Sequence, residues 1–451
     1  MARRRQVDIN TMKRRNVYIL VEESFRELRS RILLARAILR PDVDIIIGQQ
    51  WWFAANLQHL PLGVALFKGN NSAQANVMAS AKRAGHSVAS IEEEAFGLKA
   101  HDVFATLFDE RVSNVCDLFL VQGDHLANFL RARFPSAQEK IKVVGNSRTE
   151  ALQSYLQFKA DDEASAFRER HGPFILINTN YASINPFDYD AYTYFRRCVG
   201  VGVLNPGSVT EMEMFHSQCL WEQQNLRVLI SFIHKMATEH SEIPIVLRPH
   251  PSENQAIWHS SLGNLSSLHI VSDDDHLPWT QACLALVHSG STTGLEAVLL
   301  GREGINICAG VSAWHTRFIA SVVNTNVKDA DEAVAAVERE LSDGWGSKSN
   351  SQRLSDLQAY LRTDDDQSPS EKIADALLAI IPPGTNSTLN LRLLRIPESS
   401  GRQRFKAFVP RAKLEDLLRR DAGPEGQEPE IRIDELAPSV WRLRTPQGNE
   451  A

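Results

Sequence analysis

Cysteine is scarce in this chain, and its five copies, Cys116, Cys198, Cys219, Cys283 and Cys308, make an odd set without metal-like spacing. That argues against a disulfide framework or a zinc site and suits reduced thiols in a cytoplasmic protein. Long apolar runs are also missing. Nothing approaches the roughly 18 residues a membrane span needs, and no signal-peptide core follows Arg3-Arg4-Arg5 or Lys13-Arg14-Arg15. Positive charge is not in excess: 49 Lys and Arg against 55 Asp and Glu leave −6, which gives no reason to expect nucleic acid. There is no Walker loop, nucleophile elbow or zinc motif. What remains is an ordinary globular composition, 43% hydrophobic and 23% charged, over 451 residues. That length favours two α/β domains with appendages over a single core.

Apolar, β-branched runs over 17–21, 43–47, 63–67, 87–91, 118–121 and 141–144 alternate with helical patterns over 24–39, 73–84, 105–112 and 126–134. A charged helix over 161–170 leads to a second series. Its strands fall at 174–178, 243–247, 268–271, 283–288 and 304–308, with helices over 211–239, 330–341, 351–361 and 369–381. The repeated βαβ rhythm predicts an α/β protein with two Rossmann-like halves facing one another across a cleft, the GT-B arrangement. The expected domains are 1–165, 166–383 and a basic, partly disordered tail over 384–451.

Two segments of the second half carry most of the chemistry. Leu247-Arg-Pro-His-Pro-Ser-Glu-Asn254 and His288-Ser-Gly-Ser-Thr-Thr-Gly-Leu-Glu-Ala297 each follow a buried-strand pattern. Their polar residues therefore fall outside the carboxyl ends of the strands, where open α/β sheets hold ligands. Ser289, Gly290, Ser291, Thr292 and Thr293 precede a helix and read as an anion cradle of hydroxyls and backbone N–H groups. Arg248 and His250 add a cation and an imidazole on a turn stiffened by Pro249 and Pro251. The target this predicts is the phosphate of a nucleotide-sugar. Glu296, one turn into the helix, is placed either to accept from ribose hydroxyls or simply to complement the helix dipole.

The tail carries nine Lys and Arg against three Asp and Glu between Leu391 and Arg420, interleaved with Leu393, Leu394, Phe405, Phe408 and Val409. Two readings follow: a dock on an anionic membrane surface, or a solvated extension packed on the second domain, which is favoured.

Several segments, read in order, resemble the surface carbohydrate (capsule and lipopolysaccharide) biosynthesis family that includes the retaining β-Kdo transferases. They are Val21-Glu-Glu-Ser-Phe-Arg-Glu-Leu28, Glu92-Glu-Glu-Ala-Phe-Gly97, Val144-Gly-Asn-Ser-Arg148, Leu176-Ile-Asn-Thr-Asn180, Arg248-Pro-His-Pro251 and Ser289 through Ala297. The resemblance covers roughly residues 16 to 310. It implies a glycosyltransferase that moves a Kdo-like or other nonulosonic acid from a CMP donor to a glycan or lipid-linked glycan acceptor. Such an enzyme needs no cofactor and no metal, and works in the cytoplasm or peripherally at the inner membrane. The alternatives are a CDP-dependent polyol-phosphate transferase, a nucleotide-sugar epimerase, or a non-catalytic assembly scaffold. The GT-B sialyltransferases, likewise associated with CMP-activated ulosonic acids, share a His-Pro motif and an acidic pair preceding glycine. Here Ala95 and Phe96 separate Glu94 from Gly97.

The remaining roles follow from chemistry. Departure of CMP leaves a dianionic phosphate, which His250 and the cradle stabilise without a metal. Glu93 and Glu94 are the expected catalytic carboxylates: three adjacent acids repel one another and raise a pKa, suiting a base or nucleophile. Strand alternation turns only one of them toward substrate. Glu22, Glu23 and Arg26 are expected at the sugar or acceptor, with Asn146, Arg148, Asn178 and Asn180 lining strand ends. The Asp-x-Asp patterns at 188–190 and 273–275 are weak, and Trp51, Trp52 and Trp258 read as core.

Overall fold

The computed structural model describes residues 13–446 except 159, 188–189, 201–203, 273–275, 344–350, 364–365, 385–388 and 421–429. The Arg3-Arg4-Arg5 run, Asp188 and the acidic run 273–275 lie outside the described residues.

Fourteen strands are described. They are β1 (Arg15–Val21), β2 (Val43–Gln49), β3 (Gly63–Lys68), β4 (Ser87–Ile91), β5 (Leu118–Val121), β6 (Ile141–Val143), β7 (Ile175–Asn178), β8 (Ile245–Arg248), β9 (Leu268–Ile270), β10 (Ala285–His288), β11 (Gly304–Ile307), β12 (Thr325–Val327), β13 (Arg432–Ala437) and β14 (Val440–Arg444). One sheet has the order β13-β14-β2-β1-β3-β4-β5-β6 and the other β12-β11-β10-β7-β8-β9. All pairings are parallel except β13 with β14 and β14 with β2. Both sheets are Rossmann-like, as the βαβ rhythm predicts.

The chain forms two units. The first takes in the described parts of Met1–Glu94, Ala105–Ala151 and Leu361–Ala451, and the second those of Ala95–Phe104 and Leu152–Tyr360. This differs from the expected 1–165, 166–383 and 384–451. The helix Pro369–Ile380 and the segment beyond it belong to the first unit, because they supply apolar surface to its core. Ile373, Leu377, Val409, Leu414, Leu417, Trp441 and Leu443 are all buried against β1, β2 and the helix Ser24–Ile38. β14 pairs with β2, and the indole Nε1 of Trp441 donates to the Val409 carbonyl at 3.0 Å. The described tail is therefore not an extension on the second unit. It covers what would otherwise be an open edge at β2, a position that invites non-native pairing.

Local chemistry fixes the helix starts. Asn71 caps the helix Ser72–Arg83, Ser208 caps Val209–Glu239, and Ser368 with Glu371 forms a reciprocal capping box on Pro369–Ile380. In each sheet the connections run outward in opposite directions from one strand pair, β1/β3 in the first unit and β7/β10 in the second. Those two topological switch points are where open α/β sheets bind ligands, beyond the carboxyl ends of the strands.

Candidate functional site

In the second unit β7, β8 and β10 end level with one another, Asn178 being in register with Arg248 on one side and His288 on the other. The polar segments predicted after these strands are thus brought to one sheet end. After β10 the chain makes the turn Ser289-Gly290-Ser291 into the helix Thr292–Leu299. Gly290 has φ +57°, and a Cβ there would lie 2.7 Å from the Trp221 ring and 3.2 Å from Phe318. Only glycine fits this turn.

Not every donor in the cradle is bare. The Gly290 N–H donates to Asn306 Oδ1 at 2.9 Å and the Thr293 N–H to Ser291 Oγ at 3.3 Å. The Thr293 hydroxyl also donates to Ser291 Oγ at 3.0 Å. Ser289 and Ser291 are buried, while Thr292 and Thr293 are partly exposed. Asn178 does offer a bare donor. It is buried at the end of β7, and its Nδ2 has no hydrogen-bond partner; His288 Nε2 beside it is also without one. An unpaired buried donor costs roughly 1–3 kcal/mol, so an acceptor at this sheet end would relieve it. Asn180 is partly exposed two residues on.

His250 lies two residues beyond β8. Its Nδ1 accepts from the Ser252 N–H at 3.1 Å, and its own N–H donates to Thr179 Oγ1 at 3.1 Å. Nδ1 is thereby engaged as an acceptor, which leaves Nε2 as the ring atom that can donate. The same loop is held by Glu253, to which sequence reasoning assigned no role. Glu253 is fully buried and accepts from the Thr179 hydroxyl and the Tyr181 N–H, both at 2.8 Å, and from Trp258 Nε1 at 3.0 Å. Burial nonetheless raises its carboxyl above the usual range. Arg248, the last residue of β8, is partly buried. Glu296 does not stand open for a ribose: it is buried, and its Oε2 meets His276 Nε2 at 2.7 Å.

In the first unit the ends of β1, β3 and β4 gather an acidic cluster around a cation that sequence reasoning missed. Lys68, the last residue of β3, is buried, and its Nζ lies 2.9 Å from Glu22, 3.2 Å from Glu27 and 3.0 Å from Glu94. Burial opposes the ammonium, but the three carboxylates outweigh it and hold its pKa above the ordinary lysine value. A single lysine ending an otherwise apolar strand pattern was the available signal.

The acidic run divides three ways. Glu92 is buried, accepting from Asn70 Nδ2 at 2.8 Å and from the Glu94 N–H at 3.1 Å; burial pushes its carboxyl up to about 8. Glu93 is buried 3.0 Å from Arg31, itself buried. Glu94 is the outward one, with its side chain 54% exposed. Mutual repulsion does not raise Glu93 and Glu94 as expected. Burial pushes both up, but Arg31, Arg148 and Lys68 overcome it at Glu93, and Lys68 and Arg26 do so at Glu94, leaving both below the usual range.

The neighbouring residues are mostly committed to one another. Glu23 is buried between Arg26 at 3.0 Å and Lys406 at 2.6 Å, which outweigh burial and bring it down to about 2. Arg148 is buried, and its backbone N–H donates to Asn146 Oδ1 at 2.9 Å. Glu22, at 35% exposure, is the other outward carboxylate on Lys68. Asp190, the described half of one Asp-x-Asp, caps its own helix by accepting from Thr193. Trp52 and Trp258 are core, while Trp51 is partly exposed. Among the described residues no cluster of His, Cys, Asp or Glu is arranged to hold a metal ion, and no helix is long and apolar enough to cross a membrane.

No protein-family model and no curated protein matches the chain. Solved structures do. The chain is similar to the UDP-GlcNAc 2-epimerase of Neisseria meningitidis, solved with UDP-GlcNAc bound: 12% identity, TM-score 0.51, covering 81% of this chain and 99% of that one. It is similar also to S. aureus MnaA, solved with UDP: 13% identity, TM-score 0.50, covering 82% and 96%. At such identity the likeness shows the fold: the chain has the GT-B type of fold, built from two Rossmann-like units.

Proposed function

We propose that the second unit binds the phosphate of a nucleotide-activated sugar. On this reading the protein is a surface-polysaccharide glycosyltransferase, moving a Kdo-like or other nonulosonic acid from CMP to a glycan or lipid-linked glycan. The observation that carries the proposal is the unpartnered Asn178 Nδ2 at the switch point, level with the Ser289–Thr293 turn and the His250 loop. Asn178 Nδ2, His250 Nε2 and the Thr292 groups supply donors to the leaving phosphate, with Arg248 adding positive potential. The first unit supplies Glu94. A carboxylate kept ionised by Lys68 is a weak base but a good nucleophile or counter-ion for an oxocarbenium-like centre. The sequence resemblance supports CMP as the nucleotide.

A second reading is a UDP-sugar epimerase, favoured by the likeness to proteins solved with UDP or UDP-GlcNAc. Calorimetric titration with CMP, CDP and UDP separates the two. Binding of UDP but not CMP, with UDP-GlcNAc interconverted in the absence of acceptor, would overturn the transferase.

For the CMP site, His250→Ala removes a donor to a charged oxygen and is expected to weaken CMP by about 1.5–3 kcal/mol, roughly ten- to hundredfold. Unchanged CMP affinity would remove His250 from the site. Turnover is expected to persist in EDTA, since the donors named above stand in place of a divalent cation. Activity lost in EDTA and restored by Mg²⁺ or Mn²⁺ would refute that.

A further inference from the structure

The segment 391–408 carries five Lys or Arg and one Asp or Glu in a chain whose net charge is −6. It is pinned to the first unit at two points. The backbone of Arg395 exchanges hydrogen bonds with the Asn56 side chain, at 2.9 Å from Asn56 Nδ2 and 2.7 Å to Asn56 Oδ1. The Lys406 carbonyl accepts from Ser24 Oγ at 3.0 Å while its ammonium meets Glu23. Asn56 ends the helix that follows β2, and Glu23 and Ser24 follow β1, so the segment is anchored near the carboxyl ends of two paired strands.

Anchoring of this kind normally buries a segment's apolar side chains. Here Leu391 is 58% exposed, Leu393 50%, Ile396 74% and Phe408 59%. They alternate with Arg392, Arg395 and Arg404. Exposed large apolar side chains cost solvation unless something covers them. The cations interleaved with them select the covering surface: anionic, with apolar depth behind the charge.

We propose that segment 391–408 docks the protein on a bilayer surface rich in anionic phospholipid headgroups. Leu391, Leu393, Ile396 and Phe408 enter the boundary between headgroups and acyl chains, and Arg392, Arg395 and Arg404 engage the lipid phosphates. Because Lys406 of the same segment pairs with Glu23, docking and the carboxylate cluster are linked through one stretch of backbone. The inference stands whether or not the nucleotide assignment does.

The experiment is co-sedimentation of the full chain with vesicles of phosphatidylcholine alone and of phosphatidylcholine with 30% phosphatidylglycerol. The expected result is binding to the anionic vesicles at least tenfold above the neutral ones, weakened as salt is raised. Leu393→Asp with Ile396→Asp should abolish it, and Arg392→Glu with Arg395→Glu should reduce it at least tenfold. Melting temperature and CMP affinity should not move, since these side chains are exposed. Equal binding to both vesicle types, binding to neither, or variants that sediment like the parent would each overturn the proposal. So would vesicle-free dimerisation lost in the same variants, because the surface would then serve a second copy of the chain.

Discussion

Lys68→Met is expected to destabilise the first unit by about 3–5 kcal/mol, the range seen when one partner of a buried ion pair is removed. The reason is Glu27. It is buried, 3.2 Å from the ammonium; without the lysine it keeps the N–H groups of Glu22 at 3.0 Å and Glu23 at 3.3 Å and the more distant charge of Arg31. Glu22 and Glu94 are partly in water and contribute less. The loss should depend on pH. Burial already raises Glu27 even with Lys68 present, and without the lysine it rises further. A carboxyl with a raised folded-state value costs stability above the unfolded value of about 4.3, so stability should return as pH falls through the folded-state value. Glu27→Gln added to Lys68→Met should recover much of the loss, which a double-mutant cycle by urea denaturation measures. A Lys68→Met protein as stable as the parent at pH 7 would mean that Glu27 takes up a proton at little cost.

Glu94→Gln is expected to cut turnover by on the order of a hundredfold or more while leaving CMP affinity and the unfolding transition near those of the parent. The phosphate is assigned to the other unit, and the side chain is more than half exposed. Glu93→Gln should behave in the opposite way. It leaves Arg31 buried beside a neutral amide, so the main effect is on stability, with turnover falling only as far as folding does. Kinetics and denaturation on the two variants together separate chemistry from structure. If Glu94→Gln turns over normally, Glu22 becomes the carboxylate to test. If the outcome is retention, intact-protein mass spectrometry should show a sugar adduct on the parent that is missing in Glu94→Gln.

Much of the scaffold was legible because parallel strands buried on both faces read as apolar runs whatever the tertiary context. The strands at 87–91 and 118–121 fall where the structure has β4 and β5, and the segments after β8 and β10 do meet at one sheet end. Less regular elements did not show. β12 is three residues long, β13 is polar, and β14 lies beyond a stretch rich in Pro, Gly and Glu. The tail looked solvated because its buried residues, Leu414, Leu417 and Trp441, are dispersed among charges. They become a core face only when laid on the helix Ser24–Ile38 and on β2.

The candidate site divides in the same way. Local sequence determined the Gly290 turn, the capped helix after it, the proline-braced His250 loop and the acidic run at 92–94, since each depends on backbone preferences within a few residues. Tertiary structure decided which groups are partners. It set Arg31 against Glu93, Lys68 among Glu22, Glu27 and Glu94, His276 on Glu296, and left Asn178 Nδ2 without a hydrogen-bond partner. Ionisation follows from that pairing: three adjacent glutamates acquired one raised and two lowered pKa values. A carboxylate's proton affinity depends on burial and on charges within a few ångströms, and those come from residues tens of positions away in the chain.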